Sequence, residues 1–288
     1  MSGFLGMYDP DFIAGSAELA MLLEVSATPK PGNVDRTHDF EDVTYEHFLG
    51  SSVGVLPVFR KAALKGEHIG DLIFDAVQAS ATWQTAGNCH FGAILLLIPL
   101  CAAASRSSAI SQLKTNAIDI VNSTTTRDAV RFYESFQSVN VRVQEYHYLD
   151  VNNPDSVHTI QKQRLTLFDI MAISSSNDTI AREWTEGFPL IFHGQELFKR
   201  FQESGNDLND SIVCLFLTIL SETPDTLVAK KFGSKVALQV SKKAAHALTH
   251  DNIDDFDKEL IAMRINPGTT ADLVIGSLFV TLLGGFRY

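Results

Sequence analysis

Two stretches of this chain are almost wholly apolar, Phe91–Ala104 and Leu273–Phe286. Each runs to about 14 residues, whereas a helix needs about 20 to cross a bilayer. Too short to span and too apolar to lie on a surface, they are expected as helices buried on all sides. Such helices need others packed round them, and the remaining periodicity supplies them. Asp9-Pro10 opens a helix striped by Phe12, Ile13, Leu19, Leu22 and Leu23, which Pro29 and Pro31 stop. Thr44 is placed to cap a second helix, and Ile69–Trp83 reads as a third. Further helices are expected over Ala109–Val121, Arg127–Phe136, Leu165–Ile173, Asp178–Trp184 (capped by Asn177 or Asp178), Pro189–Gln202 and Ser211–Leu220. Leu227–Phe232, Ser234–Leu248, Ile253–Met263 and Ala271–Gly285 complete the set. Val139–Tyr148 alternates like a short strand, and Asn152-Asn153-Pro154-Asp155 reads as a turn. The expected fold is all-α, a single compact multi-helix domain over residues 1–288 with the two apolar helices at its centre.

Composition narrows the function. Of 288 residues, 45% are hydrophobic and 20% charged, the balance of a folded globular chain. A net charge of −11 argues against nucleic acid or an anionic membrane as partner. The three cysteines, Cys89, Cys101 and Cys214, lack CxxC spacing and read as reduced thiols. With no basic n-region in Met1–Tyr8, the expected location is cytoplasmic.

The chemistry concentrates in four polar clusters, each beside a helix. The first is Pro29-Lys30-Pro31-Gly32-Asn33-Val34-Asp35-Arg36. Its prolines and Gly32 make a rigid turn from which Lys30, Asn33, Asp35 and Arg36 are expected to project. Lys and Arg suit phosphate, and Asp suits a metal or a proton. The second, Thr85-Ala86-Gly87-Asn88-Cys89-His90-Phe91-Gly92, sets Asn88 and His90 before an apolar helix, at the positive end of its dipole. The third, Asn266-Pro267-Gly268-Thr269-Thr270-Ala271-Asp272-Leu273, offers Thr269 or Thr270 as N-cap and places Asp272 in the first turn of an apolar helix. A charge there needs a match, metal or basic. The fourth, Thr223–Gly233, sets Asp225 before Thr226, with Lys230 and Lys231 further on. Each cluster also has a plainer reading as a helix stop, a cap or a solvated face. No Walker loop, GxGxxG, HExxH or GxSxG motif is present.

Taken in order, the clusters resemble the motifs of the triphosphoribosyl-dephospho-CoA synthase family. Leu23–Asp35 resembles its opening motif, Gly87–Ile94 its second, Pro224–Leu227 its third and Asn266–Leu273 its fourth. The resemblance spans nearly the whole chain and implies an all-helical, Mg²⁺-dependent enzyme. Such an enzyme moves the triphosphoribosyl group of ATP to 3′-dephospho-CoA and releases adenine, forming a prosthetic-group precursor. Bacterial members carry Thr-His-Lys-Gly at the second motif where this chain has Cys89-His90-Phe91-Gly92, and His38-Asp39-Phe40 replaces a later Gly-Ala-His stretch. The chain is similar to archaeal-type relatives in this respect, with Lys30, Lys230 or Lys231 available to replace the missing lysine.

The roles that follow are these. Lys30, Arg36 and Lys230, with Thr269 and Thr270, are expected at the phosphates, and Asp35 and Asp272 at Mg²⁺. His90 is the expected base for the acceptor hydroxyl, with Asp225 as its substitute, while Asn33, Asn88 and Asn266 hold the departing adenine. A homo-oligomer is compatible with the sequence. Two other readings stay open: a related ribosyl or phosphoribosyl transferase with a different acceptor, and a non-catalytic helical nucleotide-binding protein.

Overall fold

A computed structural model describes residues 8–87, 89–138, 153, 155–250 and 252–288. Among them are fifteen α-helices and no strand beyond an isolated bridge between Asp35 and His38. The expected strand at 139–148 lies outside the described residues, as do Asn152, Pro154 and Asn88. The helices fall into two compact units, one of Met1–Glu18 and Leu49–Phe188, the other of Leu19–Phe48 and Pro189–Tyr288. Helices α1 (Pro10–Ser26) and α2 (Tyr45–Lys65) contribute residues to both.

The first unit is completed by α3 (Ile69–Ser80), α4 (Phe91–Ala104), α5 (Ile110–Asn122), α6 (Thr126–Ser138), α7 (Asp155–Gln163), α8 (Leu167–Ser174) and α9 (Thr179–Glu186). Its centre is α4, buried without interruption from Ala93 to Ala104. Pro99 lies inside this helix and has no N–H for the carbonyl of Leu95, one turn back. The buried Trp184 indole of α9 donates to that carbonyl instead, at 2.9 Å. A defect inside the apolar helix thus becomes a fastening point for another.

The second unit adds α10 (Pro189–Glu203), α11 (Leu208–Glu222), α12 (Thr226–Phe232), α13 (Ser234–His250), α14 (Ile253–Ala262) and α15 (Gly268–Leu283). Here α15 is central, and Asp272 is the residue of its run from Thr269 to Leu283 that stays half-buried. Small residues let α10 approach it: a Cβ on Gly194 would meet Ser277 Oγ at 2.2 Å, and one on Gly276 would meet Ile191 Cδ1 at 2.6 Å. Both apolar stretches are therefore central helices, as expected, and no single helix among the described residues is long and apolar enough to cross a membrane.

Most expected helix positions agree with the structure; the differences are local. The third helix ends at Ser80 rather than Trp83, because Gln84 folds back, donating to the carbonyls of Ser80 at 3.0 Å and Gly87 at 2.8 Å. Helix α7 was not anticipated, its sequence carrying few apolar residues. The last helix starts at Gly268, so Thr269 and Thr270 are inside it rather than capping it; Pro267 occupies the cap.

Candidate functional site

In the second unit, the first cluster is a loop whose polar groups largely satisfy one another. Lys30 does not project from the turn. It is fully buried, donating to Glu24 Oε1 at 2.8 Å and to the Val34 carbonyl at 3.0 Å. That corrects its expected place at a phosphate: the ammonium neutralises a carboxylate buried on α1. Burial pushes the Glu24 carboxyl up, Lys30 pulls it back and Asp35 pushes it up again. Asp35 is committed as well. Its Oδ1 accepts from the backbone N–H and the hydroxyl of Thr37, both at 2.8 Å, and its Oδ2 from the Lys30 N–H at 3.2 Å.

Three side chains hold this loop, and none was given a role by the sequence reading. Glu24 holds Lys30. Asn209 of α11 clasps Thr28, accepting its N–H at 3.0 Å and donating to its carbonyl at 2.8 Å. The Asn209 Oδ1 also accepts from the exposed Arg36 guanidinium at 3.3 Å. Asp257 of α14 accepts the Gly32 N–H at 2.9 Å. Glu24 had a sequence signal, an acid on an apolar helix six residues before a lysine. Asn209 and Asp257 had none.

The third and fourth clusters are joined by one carboxylate. Asp225 caps α12 by accepting the Val228 N–H at 3.0 Å, and its other oxygen accepts the N–H and the hydroxyl of Thr270, both at 2.8 Å. Burial pushes its carboxyl up, and these N–H groups partly offset that. Thr269 Oγ1 accepts the Leu227 N–H at 3.2 Å and lies 3.3 Å from the Thr226 hydroxyl. The sequence placed Asp225 in proton transfer and Thr269 and Thr270 at phosphate; in the structure these groups bond to one another and to the start of α12. These groups fasten α12 to α15, because Pro267 has no side-chain acceptor to cap α15. Lys230 is half-buried in the last turn of α12.

Three clusters thus meet within the second unit. Gly32, at φ 73°, lies against the residue before Asn266: a Cβ there would stand 2.2 Å from the Ile265 carbonyl oxygen. A Cβ on Gly268 would stand 2.8 Å from Leu227 Cδ2, which brings in the fourth cluster. At this junction two buried side-chain atoms have no hydrogen-bond partner, Asn33 Nδ2 and Asn266 Oδ1. Native proteins rarely leave such atoms unsatisfied, and here one is a donor and the other an acceptor. The metal test is less favourable. No group of three His, Cys, Asp or Glu side chains among the described residues is arranged to hold an ion. Asp35, with three bonds already accepted, has little of its carboxylate left for a resident metal.

The second cluster belongs to the first unit. His90 is 2% exposed at the N-terminus of α4, its Nδ1 3.0 Å from the hydroxyl of Ser51 on α2. Burial pushes the neighbouring Cys89 thiol up to about 12, so it is not a nucleophile at neutral pH.

The family resemblance and the helical frame agree with what comparison shows. The model of the ATP:dephospho-CoA triphosphoribosyl transferase family matches residues 10–287, and the chain belongs to that family, a family of transferases. A probable 2-(5″-triphosphoribosyl)-3′-dephosphocoenzyme-A synthase of Citrobacter koseri is 24% identical over 285 residues, covering 91% of this chain and 87% of the relative. One from Streptococcus equi subsp. equi is 25% identical over 299 residues, covering 95% and 97%. Among solved structures, a candidate triphosphoribosyl-dephospho-CoA synthase from Archaeoglobus fulgidus matches with a TM-score of 0.73 and 30% identity, over 85% of this chain and all of that one.

Proposed function

We propose that this chain transfers the triphosphoribosyl group of ATP to a 3′-dephospho-CoA acceptor, releasing adenine, and that the donor binds in the second unit. One observation carries the donor assignment: three motif clusters meet there and leave a buried donor, Asn33 Nδ2, and a buried acceptor, Asn266 Oδ1, unsatisfied. Adenine carries both complements, since its ring nitrogens accept and its exocyclic amine donates. The base would complete the hydrogen bonding that the folded chain lacks.

In the reaction the acceptor hydroxyl oxygen bonds to the ribose anomeric carbon as the bond from that carbon to the adenine ring nitrogen breaks. The electron pair leaves with adenine, the hydroxyl proton goes to a base, and a proton from that base or from water reaches the departing ring nitrogen, so that neutral adenine is released. The transition state resembles that of glycoside cleavage, with positive charge on the sugar. A hydrogen bond from Asn33 Nδ2 to a ring nitrogen, which tightens as negative charge gathers on the base, favours its departure, while Asn266 Oδ1 accepts from the exocyclic amine and orients the ring. Arg36, exposed and tethered by Asn209, is the proposed triphosphate ligand, with Lys230 and Asp272 completing the donor side. Mg²⁺ is proposed to arrive with the triphosphate as part of the substrate, the usual mode where few protein carboxylates are available. A cytoplasmic location accords with the reduced cysteines.

The test is adenine release from ATP and Mg²⁺ with and without dephospho-CoA. Release that requires dephospho-CoA is expected. Release without the acceptor, or ATP binding with no release under either condition, refutes the assignment.

A further inference from the structure

We infer that Asp257, outside the four clusters and remote in sequence from the first, is a positioning residue that sets the donor loop for the transfer; the inference rests on the donor site proposed above. Gly32 and Asp257 are 225 positions apart, yet the Gly32 N–H donates to Asp257 Oδ1 at 2.9 Å. The other oxygen, Oδ2, lies 3.5 Å from His38 Nδ1. Between these two anchors runs 33–37, which carries Asn33 and Arg36. His38 is in turn paired with Asp35 through both backbone hydrogen bonds, at 3.1 and 3.2 Å. One carboxylate on α14 therefore grips both ends of the segment that presents the proposed base and phosphate contacts.

The grip is tight at one end. Gly32 sits at φ 73° with the Ile265 carbonyl and Leu260 against its α-carbon, so that residue cannot slide or turn without losing its bond to Asp257. Asp257 is 6% exposed, and burial pushes its carboxyl up against the pull of the Gly32 N–H. A buried carboxylate held at this cost, with no lysine or arginine as partner among the described residues, is explained by what it fixes. Without it the Gly32 N–H is buried and unmatched, and the segment has reason to move. Asn33 Nδ2 would then miss its target even though Asn33 itself is unchanged, since small misplacements of a binding group weaken binding sharply.

The experiment compares Asp257→Ala, Asp257→Asn and Asn33→Ala for adenine release, with thermal melts to confirm folding. Asp257→Ala is expected to raise KM for ATP about tenfold while kcat changes by less than about threefold. Asp257→Asn keeps an oxygen for the Gly32 N–H and is expected to restore KM to within about threefold. Asp257→Ser, too short to reach Gly32, repeats the measurement if the alanine variant does not fold. An unchanged KM in Asp257→Ala or Asp257→Ser overturns the inference, as does an equal loss in Ala and Asn. If Asn33→Ala leaves KM for ATP unchanged, the donor site itself is misplaced, an outcome read separately from any effect at position 257.

Discussion

Replacing Asp225 with alanine tests whether this buried acid works in catalysis or in holding two helices together. Three accepted hydrogen bonds would be lost: the cap of α12 through Val228, and the N–H and hydroxyl of Thr270 on α15. An N-cap is worth about 1 kcal/mol. Each Thr270 donor left unmatched in the interior adds about 1–2 kcal/mol, less for the hydroxyl, which can rotate toward another acceptor. The expected loss is about 3–4 kcal/mol, a large part of a typical margin of about 5–15 kcal/mol. Urea unfolding followed by circular dichroism should show it as a lower midpoint with little change in slope. Thr270→Val removes the hydroxyl alone and should cost about 1 kcal/mol in the native background but much less when Asp225 is already alanine. Adenine release per folded molecule should persist in Asp225→Ala at temperatures well below its melt. An unchanged urea midpoint together with abolished release would refute the structural account and restore Asp225 as a catalytic acid or base.

Two further outcomes follow from the geometry. Gly32→Ala places a Cβ 2.2 Å from the Ile265 carbonyl oxygen at a φ of 73°, so it should lower the unfolding free energy by about 2 kcal/mol or more, seen as a lower urea midpoint, and raise KM for ATP in the same protein. Burial raises the carboxyls of Glu24, Asp225 and Asp257 above their ordinary values, so the folded state keeps protons that the unfolded chain releases. Their contribution to stability is therefore present on the acid side and lost as pH climbs through the raised values; the thermal midpoint should fall as pH rises from the ordinary carboxylate range through neutrality, and Asp257→Asn should flatten that slope.

How far the sequence revealed the fold depended on the distance between interacting residues. The helices around the two apolar stretches were legible because their signals are local: a stripe three or four residues apart, a proline stop, an aspartate at a helix start. Asp178 and Asp225 do cap the helices they precede. The start of α15 was misjudged by this same local logic. Two threonines after Pro-Gly look like caps, but their hydroxyls are spent on Asp225, Thr226 and Leu227, 42 to 45 positions earlier. Helix α7 escaped because too few of its residues are apolar to show a period.

The candidate site was harder to read for a related reason. A turn rich in Pro, Gly and charge looks like a solvated hook, and Lys30 was expected to reach outward from it. What decides its direction is Glu24, an acid that α1 carries into the interior, where an unpaired charge would be far more costly than a lost surface contact. Once Lys30 is drawn inward, Asp35 closes the turn instead of facing a metal, and the groups left at the junction are neutral amides. Those amides, Asn33 and Asn266, were named from the sequence only as generic hydrogen-bonding residues. Burial without a partner is what makes them specific, and the loop that carries Asn33 is held in place by Asn209, Asp257 and Ile265, which are distant from it in sequence. In the proposed reading the motif marks where the donor binds, while the charge balance of the surrounding helices sets which of its residues are left for a ligand.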